Sequence, residues 1–127
     1  MQLLIHGCPR TKKNSAMIAK TRTGRPFILP SKQYREYEQR ALSQLGFLTK
    51  PIDYPVNVKC IYYMETRRKV DLVNLLEATD DILVKAGILA DDNSQIVVSH
   101  DGSRVLHDKE SPRVEILIEA VDASVED

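Results

Sequence analysis

The clearest regularity in the chain is an alternation from Val56 to Met64, where Val56, Val58, Cys60, Tyr62 and Met64 share one face. A period of two predicts a strand. Two other stretches repeat at three and four residues and predict helices. Over about residues 32–45, Tyr34, Tyr37, Ala41, Leu42 and Leu45 form one apolar stripe, with Ser31 placed to cap the first turn and Gly46 to end the last. From about Asp71 to Ala86, Leu72, Leu75, Leu76, Thr79, Ile82 and Leu83 fall on one side, and Asn74, Glu77, Asp81 and Lys85 on the other. Glu77, Asp80 and Asp81 read as a solvent face, and Gly87 closes the helix. Shorter strands are expected over residues 3–6, 27–29, 96–99 and 113–121, the last with Val114, Ile116, Ile118 and Ala120 in alternation. Residues 9–30 are polar and basic, closed by the short strand at Phe27, Ile28 and Leu29, and predict a long functional or mobile loop. The order β, β, α, β, α, β, β predicts an α+β single domain, a mixed β-sheet with two main helices packed on it, over residues 1–121, followed by an acidic tail over 122–127.

Composition bounds this picture. A chain of 127 residues, 43% hydrophobic and 28% charged, is one ordinary domain, too short for two cores and too apolar for a disordered chain. No stretch approaches the roughly 20 apolar residues of a membrane helix, and the first residues lack the basic start of a signal peptide. Cys8 and Cys60 have no paired spacing, so a reduced, cytoplasmic setting is expected and no chemistry is assigned to them. His6, His100 and His107 match no zinc spacing and read as structural. The zero net charge hides a segregation. Residues 1–70 carry 14 Lys and Arg against four Asp and Glu, whereas residues 71–127 carry four against 14. A basic surface for a polyanion beside a cluster of carboxylates would produce this, and so would two halves that neutralise each other.

The two charge types meet in Arg67-Arg68-Lys69-Val70-Asp71-Leu72-Val73-Asn74. Three cations end a strand, and an Asp with an Asn three residues on begins a helix. Asp71 and Asn74 lie one turn apart and could face one hard cation, with Asp91-Asp92 completing the set if the chain folds back. Carboxylates holding Mg²⁺ among phosphate-binding cations are the parts that phosphodiester hydrolysis needs. Each piece also has a plain structural role. Asp71 is a good N-cap, and Asp91-Asp92-Asn93 is ordinary turn chemistry. Lys12, Lys13, Lys20, Arg22, Arg25, Arg67, Arg68 and Lys69 are the candidate phosphate contacts. The helical spacing of Tyr34 and Tyr37 favours core packing over base stacking.

The run from Asp71 to Ile96, with its Asp-Leu-Val-Asn helix start, closing Gly87 and Asp91-Asp92 pair before Gln95-Ile96, resembles the signature of RusA-type Holliday junction resolvases. The motif is strongest over residues 66–98, and the arrangement extends more weakly over nearly the whole chain. The resemblance implies a RusA-like endonuclease domain over residues 1–121. It implies a small homodimeric enzyme that cuts four-way DNA junctions symmetrically with Mg²⁺, for which Mn²⁺ can substitute, using neither membrane nor organic cofactor. It carries the catalytic carboxylates onto Asp71 and Asp92, with Asp91 beside them and Asn74 as a further ligand or cap. Two positions depart from the pattern. Val73 stands where the family has a second acid, and Glu77 where its best-known members have a functional Lys. Glu77 either takes over part of the missing carboxylate's role or the site binds junctions better than it cuts them. The apolar strand faces and Tyr62-Tyr63 are candidate contributors to the dimer surface.

Overall fold

The computed structural model describes residues 1–12 and 17–121. Strand β4 (Val56–Met64) is its centre, and its alternation is the one the sequence shows: Val56, Val58, Cys60 and Tyr62 are all buried. One edge of β4 pairs antiparallel with β7 (Arg113–Ala120), and β7 pairs in turn with β1 (Gln2–His6). The other edge is shared by two short strands, both parallel to β4. Strand β5 (Val97–Ser99) meets its start at Val56, and β6 (Arg104–His107) meets its end between Ile61 and Met64. The first helix, α1, runs Lys32–Leu45, and the second, α2, Leu72–Lys85.

Both helices bury their apolar stripes in one core with the sheet. Tyr34, Tyr37 and Ala41 come from α1, Leu75, Ala78, Ile82 and Leu83 from α2, and Val114, Ile116 and Ile118 from β7. The stripes predicted from spacing are the ones buried. Ser31 caps α1 by accepting from the Tyr34 N–H at 3.1 Å. Gln44 fixes α1 to the end of β1, accepting from the His6 N–H at 2.8 Å and donating to the His6 carbonyl at 3.1 Å. Gly87 follows α2 at φ 78°, a left-handed conformation that side chains resist. A further polar tie crosses the core, where the Tyr62 hydroxyl meets the Thr79 hydroxyl at 2.7 Å and Thr79 donates to the Leu75 carbonyl at 2.9 Å.

The fold class stands as read, and three local expectations do not. The basic loop contains a separate antiparallel hairpin, β2 (Met17–Lys20) with β3 (Pro26–Leu29), closed by the Thr21–Arg25 turn. Strand β6 was not expected, because its four residues show little burial and no apolar alternation. Tyr62 contributes nothing to an outer surface. It is fully buried against α2, while Tyr63 is covered by the Arg113 guanidinium 3.8 Å above its ring. Replacing Tyr62 by Phe is expected to cost about 1–2 kcal/mol, because the partly satisfied Thr79 hydroxyl loses a buried neighbour. Urea denaturation reads this directly. A loss under about 0.3 kcal/mol would show that the contact contributes nothing.

Candidate nucleic-acid and metal site

The cations at the end of β4 reach solvent because the strand leaves the sheet at Met64. Arg67, Arg68 and Lys69 are exposed, and their charged groups have no ion-pair partner among the described residues. Two residues later Asp71 caps α2, its Oδ1 accepting from the Val73 N–H at 2.9 Å. The capping role read from the sequence is therefore real, and it occupies one oxygen. Val73 projects into solvent at 67% exposure, and Asn74 and Glu77 follow on the same helix.

The Asp91-Asp92 pair is held by main-chain ties on both sides. Ile52 bridges to Leu89, the Ala90 N–H donates to the Ile52 carbonyl at 2.9 Å, and the Val56 N–H donates to the Ile96 carbonyl at 2.7 Å. Within the turn the two acids divide the work. Asp91 is consumed by structure, with Oδ1 accepting from the Asp92 N–H and Oδ2 from the Asn93 amide, each at 2.9 Å. The Asn93 amide, aided by that N–H, holds the Asp91 carboxyl below the usual range. The Asp92 carboxylate receives no hydrogen bond from another described residue. Burial, then the negative charges of Asp91 and Asp80, push its pKa up. Asp92 is thus the acid of the pair whose charge is left uncompensated.

Asp80 corrects the reading of a solvent face. It is 6% exposed, and its Oδ2 meets His100 Nε2 at 2.8 Å. That hydrogen bond raises the His100 pKa against the opposing effect of partial burial. Asp81 is ion-paired rather than simply solvated. Lys12 lies 2.7 Å from it and Lys85 3.3 Å, and Lys85 also reaches Glu38 at 3.0 Å. Burial pushes Asp81 up, and the two ammonium groups outweigh it and hold the carboxyl low. Lys12, expected on phosphate, is therefore seated on α2. Lys20, Arg22 and Arg25 are exposed on and around the hairpin turn, and Lys13 lies outside the described residues. The sequence signals for Asp80 were faint: a carboxylate at the margin of the apolar stripe, with its histidine twenty residues away.

The candidate acids do not all meet. The described residues contain no group of three or more His, Cys, Asp or Glu arranged to hold a metal ion. Asp80, whose charge Asp92 feels, lies nine residues from Asp71, about 14 Å of helical rise. The chain does fold back after α2, far enough for Asp92 to feel the Asp80 charge.

A family model described as Endodeoxyribonuclease RusA matches residues 7–119, a span that includes the basic segment, both acid positions and every strand after β1. A curated relative, the Crossover junction endodeoxyribonuclease RusA of Aquifex aeolicus (strain VF5), is 30% identical over 95 residues, 73% of this chain and 72% of its own length. The chain belongs to the RusA family of DNA endonucleases. No helix among the described residues is long and apolar enough to cross a membrane.

The His100–Asp80 pair gives stability a pH dependence. Because the folded His100 pKa is raised above 6.5, the contribution is full below that value and is lost as pH rises through the folded pKa. The urea midpoint of the native protein should fall as pH rises above 6.5 through the raised folded pKa of His100, and His100→Gln should flatten that fall. Equal slopes in the two proteins would remove the pair as its cause.

Proposed function

We propose that the protein is a divalent-metal-dependent, structure-selective endonuclease that resolves four-way (Holliday) junctions in DNA recombination and repair. The observation that carries this is the run of exposed cations, without an ion-pair partner among the described residues, that leads within two residues to Asp71. Such a run draws a phosphodiester backbone toward the carboxylate. Lys20, Arg22 and Arg25 on the hairpin extend the cationic surface. Lys12 and Lys13 would join it, Lys12 by leaving Asp81.

The donor chemistry fits Mg²⁺, with Mn²⁺ as a substitute. Asp71 keeps one oxygen outside its cap, Asp92 carries a carboxylate whose charge no described cation offsets, and Asn74 and Asp91 are further hard oxygen donors. Mg²⁺ uses one or two carboxylates and retains several waters, so it does not require a three-acid cage. When bound, the ion would supply a water of lowered pKa and offset the charge that develops on the phosphate. Asp71 and Asp92 would hold it, Arg67, Arg68 and Lys69 would position the strand, and Asp91 would keep the turn that presents Asp92.

Symmetric cutting of two strands requires two sites, hence a homodimer. We further infer that Asp71 of one subunit works with Asp92 of the other, since one α2 separates them within a chain. A second reading, a junction-binding protein without turnover, draws on Val73, an exposed apolar side chain at the family's second acid position.

Paired, metal-dependent nicks in a labelled four-way junction are expected from the native protein, and Asp71→Asn should abolish them. Binding without nicks under any divalent metal would favour the second reading. Glu77→Gln should slow single-turnover cleavage if Glu77 supplies part of the missing acid; an unchanged rate would take it out of the mechanism. Mixing inactive Asp71→Asn and Asp92→Asn subunits should restore nicking, because one of the two shared sites is then intact. Failure to restore it, with subunit exchange verified, would return both acids to a single chain.

A further inference from the structure

A cleft of about 450 Å³ opens beside the end of β4, between residues 8–11, the start of α1 and residues 64–70. It ends one residue before Asp71. Three cations line it, Arg10, Arg68 and Lys69, against a single carboxylate, Glu65. None of the three cationic groups has an ion-pair partner among the described residues.

The cleft is also built at its base. Thr11 is 5% exposed and Tyr34 is 1% exposed, and both hydroxyl oxygens are buried without a hydrogen-bond partner among the described residues. The Tyr34 hydroxyl feels the nearby Glu38 carboxylate, yet it closes no hydrogen bond of ordinary geometry with it. A buried hydroxyl left unpaired is costly, and native structures keep few of them. At the same place α1 begins. Ser31 satisfies the Tyr34 N–H, whereas the Lys32 and Gln33 N–H groups have no partner among the described residues. Free first-turn N–H groups and the positive end of a helix favour an anion.

We propose that this cleft is a subsite for one internal backbone phosphate of the DNA strand that runs on to Asp71. The Thr11 hydroxyl and the first-turn N–H groups of α1 donate to the phosphate oxygens, and Arg10 and Lys69 supply the opposing charge. Arg10, Thr11 and Gln33 thereby join the DNA-contacting surface, which the basic clusters of the sequence did not signal. The assignment rests on the DNA reading above, but the cleft can be tested apart from cleavage.

Cys8 lines the same cleft and is half-buried, whereas Cys60 is fully buried with its thiol pKa pushed up to about 12 by burial. Cys8 alkylation by iodoacetamide, followed by mass spectrometry without metal, therefore reports occupancy. A saturating four-way junction should slow it by about fivefold or more, comparable to a population shift worth about 1 kcal/mol. Arg10→Gln should weaken junction binding by about three- to tenfold and reduce the salt slope of log K by about one. Thr11→Val should weaken binding while raising Tm, whereas a purely structural Thr11 predicts higher Tm and unchanged affinity. Native affinity and salt slope in Arg10→Gln, with Cys8 alkylated at the free rate in the complex, would overturn the subsite and leave the endonuclease reading standing. If the native protein binds no junction, that broader reading falls, and inorganic phosphate or the dinucleotide pTpT decides the cleft. Protection of Cys8 by either sustains an anion site, and no protection by both overturns it.

Discussion

The parallel pairing of β4 with β5 is the constraint on which the arrangement of the molecule depends. Two parallel neighbours cannot be joined by a tight turn, so the chain must travel back along the sheet before the second strand begins. Helix α2 makes that return. Its start follows the end of β4, where the cations are exposed, and its end leads into the turn tied to the beginning of β4. Asp71 and Asp92 stand on either side of a crossover. That the whole of α2 lies between them along the chain is a product of this topology.

The acid-rich half of the chain holds carboxylates in different electrostatic states. Asp91 is stabilised by the hydrogen bonds of its own turn, Asp81 by two ammonium groups and Asp80 by a histidine. Asp92 lacks such support and sits among like charges. This contrast turns a string of acids into a short list of groups with unmet demand for a cation. Among the described residues the segregated charges of the two halves meet only in part, through Lys12 and Asp81 and through Lys85 and Glu38. The residues at the end of β4 remain outside that neutralisation.

Long elements were legible because packing and periodicity agree in them. The alternation of β4, the stripes of α1 and α2, and the capping residues Ser31 and Asp71 each state a local preference that the core then uses. Strands β2 and β6 were hidden because four residues offer too few repeats, and in β6 only Val105 packs against the core. The acid positions were readable as a motif, but their distribution in space was not, since it follows from the direction of β5. Asp80 was misread for a related reason. A helical wheel shows which way a residue faces, but the His100 that comes to cover it arrives from another element. The Thr11 cleft was similarly invisible, being assembled from three segments that are remote in sequence.

Because α2 spans the interval between the two acid positions, it acts as a ruler as well as a covering for the sheet. Substitution at an outward position such as Val73 leaves the ruler's length and phase unchanged. Adding or deleting one residue would shift its far end by about 1.5 Å and turn it by about 100°. That would misalign Asp80 with His100 and the buried stripe with the core. Divergence along this helix should therefore proceed by exchange of side chains at constant length, with insertions confined to the hairpin or the strand-linking turns.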